Sequence, residues 1–360
     1  MRRSEGITRG ARAAVTAAAL AVLAPPGGAA ANPSPGPAPA TPVCEVRDSR
    51  LTEISGMAAT DDGYVVVNDG ADDEARRRIF FLDPRCAVVR TVSYPSRPRD
   101  TEDLAVGADG TVWVADTGDN DRSRQTVAVW KLAPGTDRPV LYRMAYPDGP
   151  HDSEALLVTA DNRPVIVTKY SAVLYAPSAD LRPGATTPLA KVGQVRLPAS
   201  TTSNPFSALG RTAVTGAATA PDGRRVVLRT YADAFEFDVA DGDLIGALTG
   251  GTPRVTPLPD EPQGESITFS ADGRSLLTLS ETADQPAGTW PRLLRYPLTA
   301  GATPATPRAT PEPTARAAGD RAGSPGGVAV ASVVAAGGLG LGLVVVAVLV
   351  LARSRRARRR

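Results

Sequence analysis

An Asp-Gly or Asp-Asn pair set between two short apolar runs recurs along the middle of this chain, at Asp62, Asp109, Asp161, Asp222 and Asp272. The separations are 47, 52, 61 and 50 residues, the period of arrays built from strand units. Each pair reads as a hairpin turn, because Gly takes positive φ without steric cost and Asp tolerates it. A third apolar run follows every pair, at 78–82, 127–132, 172–176, 234–239 and 292–298. A fourth follows four of them, at 87–94, 140–146, 189–197 and 253–258. Period-two patterning excludes stacked helical repeats. Four antiparallel strands per unit is the pattern of a propeller blade.

The fifth unit lacks its own fourth strand, and the leading segment 43–48 lacks a unit. Pairing the two closes the ring and removes the open sheet edges that a linear array would leave. The expected fold is therefore all-β: a five-bladed β-propeller over 43–298, closed by the N-terminal strand. The count becomes six if the 61-residue interval hides a degenerate blade. The 34 Gly and 33 Pro residues agree with short strands and many turns.

The flanks are of a different kind. Arg2, Arg3, Arg9 and Arg12 precede an apolar run at 13–24 and the small residues Ala29, Ala30 and Ala31, the order of a secretory signal peptide over 1–31. Residues 32–42 are Pro-rich and 299–327 are rich in Ala, Thr and Pro, so both read as extended spacers. Residues 328–352 carry no charge. As a helix rising about 1.5 Å per residue they match a ~30 Å hydrocarbon core. Six Arg follow in the tail 353–360, which the positive-inside rule keeps in the cytoplasm. The expected protein is a single-pass type I membrane protein with an extracellular propeller, a stalk and one C-terminal transmembrane helix. Gly338 and Gly342 are spaced to let two such helices approach.

Net charge is +2, but the first 31 residues hold +3 and the tail +6, leaving −7 between them. An acidic body excludes the basic footprint that nucleic acid requires and suits cations or basic partners. The two cysteines, Cys44 and Cys86, are expected to pair in an exported chain. One difficulty stands: outer strands of neighbouring blades splay apart, whereas a disulfide needs Cα atoms within about 7 Å.

In a propeller the turn before each inner strand and the turn after its partner open on one face. Seven residues ahead of each hairpin mark stand Ser55, Glu102, Glu154, Thr215 and Glu265. After the second strands come Asp69, Asp116, Lys169 with Tyr170, Arg229 with Tyr231, and Glu281. Glu102, Glu154 and Glu265 aimed at one axis are hard oxygen ligands of the kind Ca²⁺ takes. Asp69, Asp116, Lys169 and Arg229 are the candidate ligand-binding residues, the two cations being suited to phosphate. The same carboxylates have a structural alternative, accepting backbone N–H bonds that lock blade to blade. His151 is the only histidine and no Gly-x-Ser-x-Gly elbow occurs, so a serine triad is not indicated.

The Asp-x-Glu turns Asp100-Thr101-Glu102 and Asp152-Ser153-Glu154, with Gln263-Gly264-Glu265 as a partial copy, resemble those of secreted bacterial propellers of the esterase-like phytase type. They are also similar to gluconolactonase-type propellers, and that resemblance implies a divalent metal held in the mouth by Glu, Asn and Asp side chains. The chain departs from it at Ser55 and Thr215. The Arg-heavy composition, with Lys131, Lys169 and Lys191 as its only lysines, looks like that of an actinobacterial surface protein. Two functions follow as expectations: a cell-surface module that binds a protein, glycan or small ligand at its acidic mouth, and a Ca²⁺-dependent esterase, lactonase or phosphatase using the same carboxylates.

Overall fold

The computed structural model describes residues 39–298. The expected signal peptide, stalk, transmembrane span 328–352 and basic tail lie outside them. So does the Pro-rich linker up to residue 38; its last two residues, Thr41 and Pro42, belong to the first strand rather than to a spacer. Among the described residues, no helix is long and apolar enough to cross a membrane.

The architecture is a β-propeller. After β1 (Thr41–Glu45) come β2 (Ile54–Thr60), β3 (Gly63–Asn68), β4 (Arg78–Leu82) and β5 (Val88–Ser93), a four-stranded antiparallel meander. The next meanders are β6 (Asp103–Val106), β7 (Val112–Asp116), β8 (Val127–Leu132) and β9 (Val140–Ala145), then β10 (Ser153–Val158), β11 (Pro164–Thr168), β12 (Val173–Pro177) and β13 (Thr186–Gln194). These two join at their outer edges, where β13 pairs in parallel with β9, and so form one eight-stranded sheet. A short helix, α1 (Ser207–Gly210), precedes β14 (Val214–Thr219), β15 (Arg225–Thr230) and β16 (Asp233–Asp238). Then α2 (Leu244–Gly250), capped by Asp243 accepting the Gly246 N–H at 2.8 Å, leads into β17 (Arg254–Pro257). The last strands are β18 (Gly264–Phe269), β19 (Ser275–Ser280) and β20 (Arg292–Pro297). β1 pairs with β20, so the N-terminal strand supplies the outer edge of the last sheet, as the sequence pattern implies.

The hairpins form for the reason read from the sequence. Gly110, Gly223 and Gly273 sit at φ between 66° and 77°. The preceding Asp109, Asp222 and Asp272 each accept the N–H two residues on at 3.0 Å. The first strands, β2, β6, β10, β14 and β18, lie side by side around an axis, with β18 against β2. Apolar layers fill the space between successive sheets. Val65, Ile79, Val114 and Trp130 form one of them, and Leu157, Val167, Leu228 and Phe235 another. Each such side chain contributes about 1.5–3 kcal/mol on burial.

Cys44 and Cys86 are bonded, with Cα atoms 6.0 Å apart. The sequence difficulty disappears because Cys86 is not on an outer strand. It lies in the β4–β5 turn at φ 65°, and that turn packs on β1 in an apolar cluster with Phe80, Leu82 and Leu293.

Candidate metal and ligand site at the mouth

A β-bulge aims the acidic side chains. Register slips between Ser153 and Ala155 and between Gly264 and Ser266, so Glu154 and Glu265 have no cross-strand partner. The same slip occurs around Ser55 and Thr215. Bulges re-aim a side chain out of the pleat, and here they do so at equivalent points around the axis. Glu102 takes the corresponding place just ahead of β6, its N–H on the Ala115 carbonyl at 3.0 Å. Where the bulge carries a hydroxyl, it ties one sheet to the next. Ser55 donates to the Glu102 carbonyl, and Thr215 to the Gly264 carbonyl at 3.0 Å. Thr101 and Thr117 make like bonds, to the Asn68 and Ser153 carbonyls at 2.6 and 2.8 Å.

Next to this ring, Asp103 ties three first strands together. Its carboxylate accepts the Leu104 N–H at 2.7 Å, the Leu156 N–H at 2.8 Å and the Ala217 N–H at 3.1 Å, the last two from β10 and β14. Gly56, Ala155, Gly216 and Ser266, all small, stand at the equivalent positions of the other four first strands. A Cβ on Gly216 would lie 2.2 Å from the Glu265 carbonyl oxygen.

Above the ring the carboxylates crowd together. Oxygens of Asp69, Asp100 and Glu102 lie within 4.8 Å of one another, as do those of Glu102, Asp152 and Glu154. Backbone approaches them closely: a Cβ on Gly118 would fall 1.9 Å from Glu102 Oε1, and one on Gly70 would fall 2.1 Å from Asp100 Oδ1. Lys169 pairs with Glu154 Oε1, and its ammonium lies 5.7 Å from the Tyr170 ring centre and 5.9 Å from that of Tyr231. Glu265 accepts from the Tyr231 hydroxyl at 3.0 Å, and Gln263 donates to Glu281 at 2.6 Å. Asp152 Oδ2, Glu154 Oε2, Glu265 Oε2 and Glu281 Oε1 are buried with no hydrogen-bond partner.

Crowding shows in the proton affinities. Burial, and then the charges of Asp69, Glu154, Asp100 and Glu265, hold Glu102 well above the usual carboxylate range. Asp69 is partly buried at the mouth, and desolvation followed by Asp100, Glu265 and Glu154 raises it strongly. Glu281 is raised by burial and by Glu265. Burial pushes Glu154 up to about 8 in spite of Lys169. All donors are hard oxygens, the set that a Ca²⁺-class cation takes. Such an ion would satisfy the orphaned oxygens and relieve the repulsion, so the residues fit it.

Glu102, Glu154, Glu265, Asp69 and Lys169 thus share the mouth. Two candidates are placed differently. Asp116 is a loop lock rather than a free ligand: it accepts the Arg99 and Asp100 N–H groups, pairs with Arg124 at 3.0 Å and accepts from Trp130 at 3.3 Å. Arg229 is fully buried, paired with Glu261 at 3.0 Å and bonded to the Ser266 carbonyl at 2.9 Å, so its guanidinium cannot meet a ligand. Asp100 and Asp152 join the site without having been singled out as ligands; the Asp-x-Glu spacing that the two turns share was their signal. His151 bonds Asp148 at 2.9 Å and Tyr175 at 3.0 Å, whereas Ser153 bonds Tyr146.

Fold and site together define an all-β propeller with a carboxylate-lined mouth. No protein-family model and no curated protein matches the chain. Among solved structures it is similar to virginiamycin B lyase from Staphylococcus aureus, at 10% identity and TM-score 0.34 over 68% of this chain and 67% of that one. A streptogramin B lyase is similar at 11% identity and TM-score 0.40, over 71% and 96%. The PQQ-bound aldose sugar dehydrogenase from Streptomyces coelicolor is similar at 13% identity and TM-score 0.37, over 72% and 99%.

Proposed function

We propose that this protein is a cell-surface binding module. In this reading a five-bladed propeller, the eight-stranded sheet counting as two blades, is held outside the cell by a type I span at 328–352. Its acidic mouth takes a Ca²⁺-class cation and, through it, an extracellular protein, glycan or small ligand. One observation carries the reading: four buried carboxylate oxygens around the mouth, on Asp152, Glu154, Glu265 and Glu281, lack any hydrogen-bond partner. A buried, unsatisfied acceptor costs about 1–3 kcal/mol, and more when charged, so the arrangement favours occupation by a cation.

The hydrolase reading uses the same carboxylates, with the cation polarising a carbonyl or phosphoryl oxygen. The two basic side chains proposed to take phosphate are both committed, Lys169 to Glu154 and Arg229 to Glu261, which favours binding over phosphoryl transfer. Calorimetric titration of Ca²⁺ into the chelator-stripped full chain in detergent tests the proposal. Binding near micromolar that weakens at least ~100-fold in Glu154→Gln/Glu265→Gln is expected. A wild-type protein that is folded and takes up no Ca²⁺ overturns it. Fractionation of cells expressing a chain truncated after residue 327 tests the anchor, and release of the protein from the membrane is expected.

A further inference from the structure

We propose that an arginine-lined cleft beside the mouth binds the phosphate group of a ligand. This goes beyond the cation-binding reading and does not rest on it, since it uses none of the mouth carboxylates.

The cleft lies between the β5–β6 link and the β7–β8 loop, with β9 alongside, and its volume is about 60 Å³. One water needs about 10–15 Å³ of such space, so the cleft holds about four to six atoms of that size, the bulk of a phosphate group. Its lining includes Arg97, Arg99, Arg124 and Arg143, with Ser96 and Thr126, all side chains that offer N–H or O–H donors. Trp130 and Leu141 add apolar wall, which lowers the local dielectric and strengthens an ion pair. On an acidic body, four arginines around one cavity are a local exception.

The charges divide into those already balanced and those left over. Asp116 is the one carboxylate in the lining, and it is fully engaged. It accepts the Arg99 and Asp100 N–H groups, the Arg124 guanidinium and the Trp130 indole N–H. Arg124 is fixed in the same lock by the Gly118 and Asp116 carbonyls and also feels the Asp100 charge, so it is neutralised. Arg97 meets Asp72 at 2.7 Å, but the two side chains are 62% and 78% exposed, and a pair so open to water gives way readily. Arg99 and Arg143 remain. Among the described residues their guanidinium groups make no hydrogen bond or ion pair.

Two free guanidinium charges, with a third held only by a surface pair, match a doubly charged tetrahedral oxyanion. The planar fork of Arg suits phosphate oxygens taken two at a time. A carboxylate carries one charge and would leave the second guanidinium unmet. The residues that serve phosphate are therefore not Lys169 and Arg229, whose charges are spent on Glu154 and Glu261.

The test is calorimetric titration of inorganic phosphate and of glycerol 2-phosphate into the full chain in detergent. Chelator and salt at about 0.15 M are present, so that no cation at the mouth contributes. The expected Kd is about 0.1–1 mM for both, and acetate should bind at least ~tenfold more weakly. Arg99→Gln and Arg143→Gln should each weaken phosphate ~tenfold or more without moving the thermal midpoint, since the fold uses no bond from either guanidinium. Arg85→Gln, exposed in the β4–β5 turn, should change nothing. A folded chain that takes no phosphate overturns the inference and leaves the cation-binding reading standing. Phosphate binding that survives Arg99→Gln/Arg143→Gln, or acetate binding as tight as phosphate, overturns it too. Uptake of the free ion without the ester overturns the ligand-borne phosphate. A chain that takes phosphate but no Ca²⁺ overturns the cation-binding reading alone.

Discussion

Asp103→Ala probes the floor on which the mouth is built. The side chain is completely buried, and its carboxylate takes N–H groups from three inner strands, β6 at Leu104, β10 at Leu156 and β14 at Ala217. Truncation strands those donors, because the equivalent residues Gly56, Ala155 and Gly216 carry no polar side chain and the Ser266 hydroxyl already donates to the Ile54 carbonyl at 3.2 Å. Each orphaned donor costs about 1–3 kcal/mol. Against this stands relief of the burial that holds Asp103 well above the usual carboxylate range. The net expectation is a loss of about 2–4 kcal/mol, which for a domain of this size lowers the thermal midpoint by roughly 10 °C. Asp103→Asn retains one acceptor and should lose about half as much. Urea denaturation followed by the fluorescence of Trp113 and Trp130 measures it, with exposed Asp180→Ala as control. If Asp103→Ala falls within about 0.5 kcal/mol of wild type, as an ordinary surface change does, the carboxylate does not satisfy those donors and the account of the floor is refuted.

Further expectations follow from the same structure. An acid whose folded pKa is raised releases its proton later in the folded state than in the unfolded chain, so stability falls as pH rises between the two values. For Glu154, raised from 4.5 to about 8, that is on the order of 5 kcal/mol; the thermal midpoint of cation-stripped protein should drop from pH 5 to pH 8.5, Ca²⁺ should restore it, and a flat stripped profile would contradict the crowding argument. Arg229→Met leaves Glu261 buried without its ion-pair partner and should cost about 3–5 kcal/mol in denaturant, while Ca²⁺ affinity stays within about twofold because the side chain never reaches the mouth. Cys44→Ser/Cys86→Ser opens a closure across 42 residues and should cost about 2–4 kcal/mol in the same assay, again with the mouth unchanged.

The sequence by itself determined the repeat. Hairpin turns at Asp-Gly and Asp-Asn depend on residues one or two apart, and period-two alternation depends on the strand pleat, so both are written locally. The same holds for closure, since the last repeat visibly lacks a strand and the leading segment lacks a repeat. It also announced an acidic mouth, through residues spaced equally from each hairpin mark. Tertiary structure decided which acids occupy it. Asp69 follows β3 whereas Asp116 is the last residue of β7, and the loop at 117–124 folds back so that Arg124 and Trp130 take Asp116, while Asp69 stays in the mouth with Asp100. Arg229 and Lys169 both stand near the ends of second strands, on β15 and just after β11, but two register positions apart. One runs into the core toward Glu261, and the other lies across Glu154. Asp103 carries no mark in the sequence, because its donors come from strands 53 and 114 residues away. A strand's period predicts which side of a sheet a residue takes. Where a side chain points at a bulge or a strand end is set by partners that only the closed ring brings near.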